Sequence, residues 1–285
     1  MNNMISVSVI RGWYRLNARS AYVLIAWLAA IAINASAQAT ESRIALVIGN
    51  AAYRAQPLKN PVNDAKDVAA ALRSVGFEVI ERENTSLRDL VSAMSDFSVR
   101  AKNHHVRLLY FAGHGMQVKG RNYLIPIDAE IASQDEVPRK SADLNDLVDR
   151  LGEIRNGVNL FILDACRTNP FNNTPALTAD GRRIIVRGAD SDLGLAKVDA
   201  PLGTLIAYAT APGAVAIDSG IQRNSVYTKH LLRNFSVAGQ PIEQMLKRIR
   251  ISVASETQNL QIPWEASSLM SEFCFRPGAA GGCGL

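Results

Sequence analysis

Two residues capable of nucleophilic chemistry stand where apolar runs stop. Cys166 closes "NLFILDAC", and His114 follows "LLYFAG". A free thiol with an ordinary pKa near 8.5 is mostly protonated at neutral pH, and a neighbouring imidazole raises its thiolate fraction or takes its proton during attack. Small residues flank the histidine, Gly113 and Gly115, and let a substrate approach the backbone closely. The main-chain N–H groups of Gly115 and Cys166 are then candidates for holding the oxyanion of a tetrahedral intermediate, which points to acyl transfer and most simply to amide hydrolysis. Neither residue alone defines a site, because buried cysteines and lone histidines serve mostly in packing.

The elements around these residues decide whether the two ends meet. Past residue 42, short apolar runs alternate with amphipathic stretches, the pattern of a mainly parallel sheet with crossover helices. Strands are expected at 43–49, 77–81, 106–112, 159–164 and 204–210. Helices are expected from Asn60 as N-cap with Pro61 in the first turn and Gly76 as stop, then over 86–101, 141–155, about 225–235 and 241–257. "MQVKGRNYLIP" reads as a hairpin turning at Lys119-Gly120. In open α/β sheets, sites form at the carboxyl ends of the strands, so neighbouring third and fourth strands would bring His114 and Cys166 to one rim. Residues 167–203 break the rhythm, with three prolines, many Asn, Asp and Gly, and no periodicity, and long irregular runs within a domain are usually functional or disordered.

The N-terminus has its own logic. Arg11, Arg15 and Arg19 precede "AYVLIAWLAAIAI" and the small-residue site Ala35-Ser36-Ala37, the layout of a secretory signal over 1–37. That segment holds three arginines and no acids, so its removal takes the net charge from +5 to +2. The remainder is not basic enough to argue for a nucleic-acid partner. The expectation is an exported protein, periplasmic or secreted, with no stable membrane insertion once the signal is cleaved. In an oxidising compartment Cys274 and Cys283 could bridge locally, which leaves Cys166 as the odd thiol.

The motifs also carry a family resemblance. Residues 43 to about 275 resemble a bacterial caspase-like peptidase of the caspase and metacaspase superfamily. "YFAGHG" is similar to that family's histidine motif and "LDACRTNPF" to its cysteine motif, while "AYATAPG" and "RNSVYT" resemble the strand and loop beside the substrate. The 52-residue separation of His114 and Cys166 is close to the spacing of about 50 seen in caspases. The resemblance implies a catalytic dyad of His114 and Cys166 and a caspase-like three-layer αβα sandwich around a six-stranded, mostly parallel sheet. It divides residues 38–285 into a large-subunit-like region (38–166), a linker (167–203) and a small-subunit-like region with the C-terminal tail (204–285).

It also implies a specificity. Asp164, two residues before the cysteine, stands where metacaspases carry an acid that takes arginine or lysine, and Asp64 in "NPVNDA" matches a second acidic pocket residue. A partly desolvated carboxylate pair favours a cation over a neutral side chain. Tyr208 and Ala209 would lie beside the bound peptide. No metal or other cofactor is expected: calcium dependence, frequent among metacaspases, lacks support, because the stretch after Cys166 has no acids and Asp128, Glu130, Asp135 and Glu136 show no ligand spacing. His104, His105 and His230 read as surface groups. The leading reading is a cysteine endopeptidase with peptide or protein substrates. The alternative is a non-catalytic caspase-like module that binds proteins or peptides, since fold alone does not settle function.

Overall fold

In the computed structural model, β1 (Arg43–Gly49) is buried along its whole length and lies between two parallel neighbours. That burial explains its uninterrupted apolar run. α1 (Pro61–Ser74) follows, with proline in its first turn and Gly76 at φ +87° just beyond its end, as expected. β2 (Phe77–Glu83), α2 (Leu87–Ala101) and β3 (Val106–Val118) come next, and Ser86 caps α2 by accepting from Asp89 N–H. β4 (Arg121–Leu124), α3 (Val137–Lys140), β5 (Ala142–Asp143), α4 (Leu144–Gly152) and β6 (Val158–Cys166) complete the first half. The second half holds β7 (Pro175–Leu177), β8 (Arg183–Ile185), β9 (Thr204–Tyr208), α5 (Val226–Leu232), α6 (Ile242–Glu256) and β10 (Trp264–Ser267).

The described residues are 41–166, 175–177, 183–185, 195–196, 198–211, 222–278 and 282–283. The signal segment expected at 1–37 and most of the expected linker lie outside them. Glu41–Leu285 form one compact unit. Among the described residues no helix is long and apolar enough to cross a membrane.

The sheet runs β10-β9-β6-β3-β1-β2, parallel except for β10. It has eight strands rather than the expected six, because β4 adds to β3 and β5 adds to β4. The reason lies in β3, which does not stop at Ala112 but continues through Gly113-His114-Gly115 into the hairpin turning at Lys119-Gly120, both at positive φ. Ser141–Asp143, expected as the start of a helix, supplies β5 and the cap instead: the Asp143 carboxylate accepts from Asn145 and Asp146 N–H, and α4 begins at Leu144. Within 167–203, β7 and β8 pair as a short antiparallel ladder where no regular structure was expected.

Side-chain alternation along the central strands builds two apolar layers. Ala45, Val47, Leu108, Tyr110 and Ile162 face α1, α5 and α6, whereas Ile44, Leu46, Leu109, Phe161 and Ile206 face α2 and α4. At the amino end of β3, buried Arg107 donates to Ala101 O, Asn159 Oδ1 and Asn156 O at 2.9, 3.0 and 2.9 Å. Three acceptors around one guanidinium are what a charge without an acidic partner needs in order to remain buried. Cys274 and Cys283 form a disulfide near the C-terminus.

Candidate active site

The β3–β6 ladder ends with His114 paired to Cys166, so the two residues lie on neighbouring strands about 4.8 Å apart at the carboxyl rim. The histidine is held by the loop after β1. The carbonyl oxygen of Gln56 sits 2.8 Å from His114 Nε2, and a carbonyl can only accept, so Nε2 carries the proton and Nδ1 is the basic nitrogen. The Tyr53 ring packs on the imidazole with centroids 4.3 Å apart, while its hydroxyl accepts from His114 N–H at 2.8 Å and donates to Ile125 O at 3.0 Å. Gly113 makes this approach possible, since a Cβ there would lie 2.6 Å from the Tyr53 hydroxyl. Tyr53 and Gln56 were not legible as site residues in the sequence. Each sits about 60 residues from His114 in an aperiodic loop, and only the tertiary fold brings them to it.

The main chain at the rim is also oriented. His114 N–H donates to Tyr53, and His114 O accepts from Ile125 N–H at 3.0 Å, so both groups point to the side of β3 that β1 and then β4 occupy. By strand alternation Gly115 N–H points the other way, toward β6 at the level of Cys166. In the ladder that N–H bonds to Cys166 O, the carbonyl of the residue paired with His114.

Asp164 and Asp64 come together at one residue, Ser225. Asp164 is buried on the face that carries Tyr110 and Ile162, and its Oδ2 accepts from Ser225 Oγ and, at 2.7 Å, from Thr228 Oγ1. Asp64, equally buried in the first turn of α1, accepts from Ser225 N–H at 3.0 Å. Ser225 also caps α5 by accepting from Thr228 N–H at 2.9 Å. Because the single Thr228 hydroxyl proton goes to Asp164, Tyr110 Oη must be the donor in its 2.6 Å contact with Thr228 Oγ1. Burial first, then the charges of Asp64 and Asp164, hold the Tyr110 phenol well above its usual range, so that it keeps this proton. Burial followed by Asp164 pushes Tyr227 up in the same way.

The loop carrying Ser225 is fastened to α1. Asn60 stands at the expected cap position without a capping bond. Its amide instead donates to Gln222 O at 2.7 Å and Arg223 O at 3.0 Å. Arg223 forms a two-point contact with Asp67, both bonds 2.8 Å, and this pairing lowers the Asp67 pKa. His230, expected on the surface, is buried and meets Glu256 Oε2 at 2.8 Å, because α5 packs against α6 there.

Tyr208 and Ala209 are placed differently from the two acids. Tyr208 pairs with Leu163, so its ring shares the α2–α4 layer, opposite Asp164, and its hydroxyl donates to Ala196 O at 3.4 Å. Ala209 uses its N–H on Leu163 O and its carbonyl on Gln261 Nε2, both at 2.9 Å. Neither offers a side chain to the acidic pair. Asp128 accepts from Leu87 N–H, Glu130 pairs with Arg54 and Glu136 with Lys140. Among the described residues no three His, Cys, Asp or Glu side chains cluster as a metal site would require.

Sheet order, crossover helices and the rim pair together define a caspase-type α/β fold. Residues 42–274 match the family model described as the caspase domain, and the chain belongs to that family. It is 29% identical over 197 residues to the human mucosa-associated lymphoid tissue lymphoma translocation protein 1 and 28% identical over the same length to its mouse homologue. Those matches cover 67% of this chain and 21% of each relative, so the chain spans about a fifth of their length. Among solved structures, the Drosophila initiator caspase Dronc aligns with a TM-score of 0.57 at 15% identity, over 84% of this chain and 86% of that one. Caspase-1 from Spodoptera frugiperda aligns at 0.59 and 16%, over 84% and 92%. At these identities the likeness concerns the fold.

Proposed function

We propose that this chain is an exported cysteine endopeptidase that cuts after arginine or lysine. The single observation that carries the reading is the ladder register that pairs His114 with Cys166, with the imidazole proton directed to Gln56 O. Nδ1 of His114 takes the thiol proton as the Cys166 sulfur adds to the scissile carbonyl. The oxyanion is met by the N–H groups of Gly115 and Cys166, released from their ladder bonds to Cys166 O and Gly113 O as the substrate docks. Collapse breaks the C–N bond, and the proton passes from His114 to the leaving amine. Water, deprotonated by the same imidazole, then hydrolyses the thioester and restores the thiol. Asp164, oriented by Ser225 and Thr228 and joined by Asp64, receives the basic side chain before the cut.

The test is an unbiased peptide library incubated with the protein lacking residues 1–37, followed by sequencing of product termini. New ends should follow Arg or Lys, and Cys166→Ala should release none. Equal release by both proteins would rule out the enzyme and leave the binding-module reading. Export is tested separately by expressing the whole chain and finding whether the recovered protein begins after Ala37.

A further inference from the structure

The described residues at the end of the linker region are bound to the rim. Asn122 on β4 has no solvent exposure, and its amide matches one residue of the linker at two points: Ala196 N–H donates to Oδ1 at 2.6 Å, and Nδ2 donates to Ala196 O at 3.0 Å. Asn122 is itself fixed by its own N–H to Asn145 Oδ1 at 2.7 Å, and Tyr208 Oη adds a second donor to Ala196 O. Such a two-sided match is how one strand residue recognises another, here supplied by a side chain. Leu195 and Val198 are buried in the α2–α4 layer. Leu195 also reaches the catalytic rim, since a Cβ placed on Gly115 would lie 3.1 Å from its Cδ2 and 3.2 Å from Ala165 Cβ.

We propose that Asn122 and Tyr208 form a docking site for the chain's own Leu195-Ala196 pair, that this site stays filled after the linker is cut, and that the docked Leu195 braces the Gly115 backbone. The linker carries Arg182, Arg183, Arg187 and Lys197, basic residues that the proposed specificity would cut. Cleavage after Arg182, Arg183 or Arg187 leaves Leu195 on the C-terminal fragment, while Asn122, Gly115 and Ala165 belong to the N-terminal one. The docked pair therefore joins the two fragments at the rim that carries Cys166. It also makes Lys197 a poor cleavage point, because its neighbours Ala196 and Val198 are held against the body of the protein. Only the brace, with its activity readout, rests on the peptidase reading; the docking itself does not.

The experiment uses the Cys166→Ala chain with a site-specific endopeptidase sequence placed over residues 188–191. After complete cutting, exchange of the Ala196 amide is followed by NMR and compared with that of a free peptide spanning 188–200. Two net hydrogen bonds predict exchange at least about tenfold slower in the cut protein than in the peptide. Asn122→Ala should bring the rate close to that of the peptide. Ala196→Pro removes the donor from the linker side without touching Asn122, and should hasten exchange of the Asn122 side-chain amide, whose Nδ2 donates to Ala196 O, even if the Asn122 variant misfolds. Peptide-like exchange of the Ala196 amide in the cut parent, Ala196 protection that survives Asn122→Ala, or Asn122 side-chain exchange unchanged by Ala196→Pro would overturn the docking. In cut protein retaining Cys166, Ala196→Pro should lower kcat about tenfold with KM little changed. An unchanged kcat would remove the brace, and absence of turnover in every form would count against the peptidase while leaving the exchange result to decide the docking.

Discussion

Replacing Asp164 with Asn isolates charge from shape. Asp164 Oδ2 accepts two hydroxyl protons, from Ser225 and Thr228, and the amide oxygen of an asparagine in the same rotamer can accept both. The fold and the α5 cap should therefore survive, with the thermal midpoint close to that of the parent. What is lost is the negative charge facing a substrate cation. A hydrogen bond to a charged partner is worth ~1.5–3 kcal/mol, against ~1 kcal/mol for a neutral pair. Counting the weakened long-range attraction as well, a loss of about 2–3 kcal/mol is expected. At 1.4 kcal/mol per decade that is about a 30- to 150-fold fall in kcat/KM for an arginine peptide. The assay compares arginine with citrulline, its neutral isostere, before the scissile bond. The parent should prefer arginine by about two decades, and Asp164→Asn should reduce that ratio toward the smaller preference that Asp64 alone supports. An arginine-to-citrulline ratio unchanged by the substitution would refute the role given to Asp164. A parent that prefers aspartate would refute the acidic pocket as a whole.

Cys166→Ala and His114→Ala should each abolish turnover, and the double variant should be no worse than either, because members of a catalytic unit lose activity non-additively; stopped assays on purified proteins decide it. Freshly purified parent should resolve with time into two fragments, with new N-termini after Arg182, Arg183 or Arg187 and none after Lys197, while Cys166→Ala stays whole; equal fragmentation of both would assign the cut to another protease. Asp67 carries a pKa lowered by its bonds to Arg223, so the stability it contributes is fully present above the unfolded carboxylate value near 3.9 and is lost as pH falls through the lower folded value. The gap in Tm between parent and Asp67→Asn should accordingly be constant from pH 7 to about 5 and close toward pH 3. A gap that widens on acidification would show the sign to be wrong.

Much of this fold is written in local patterns. The buried run of β1 and the Pro61 and Gly76 boundaries of α1 follow from burial and backbone chemistry within a few residues. The misjudged places are those where a distant partner decides. Gly113 and Gly115 look like the end of a strand, yet β3 continues because β4 returns to pair with it. Asn60 has the right type and place for a cap, but Gln222 and Arg223 claim its amide. Asp64 and Asp164 were readable as acids near the site; that Ser225 joins them could be learned only from the docking of α5 on α1. Asn122 and Ala196 offered no signal, since an asparagine in a short strand and an alanine in an aperiodic segment match only once both are placed.

The buried guanidinium at the far end of the sheet bears on how this chain can change length. Arg107 and Asn159 face each other in the same ladder as His114 and Cys166, and each pair is 52 residues apart. His114 lies seven positions after Arg107, and Cys166 seven positions after Asn159. Insertions and deletions between Val118 and Val158 fall outside both intervals and leave the pairing at the rim untouched. One residue added or removed inside either interval makes the two counts unequal. The polar pair then loses its match, or the thiol is carried about 3.3 Å along the ladder and its strand turned to the opposite face. Loop length in this chain can vary freely, whereas the two counts of seven can change only together.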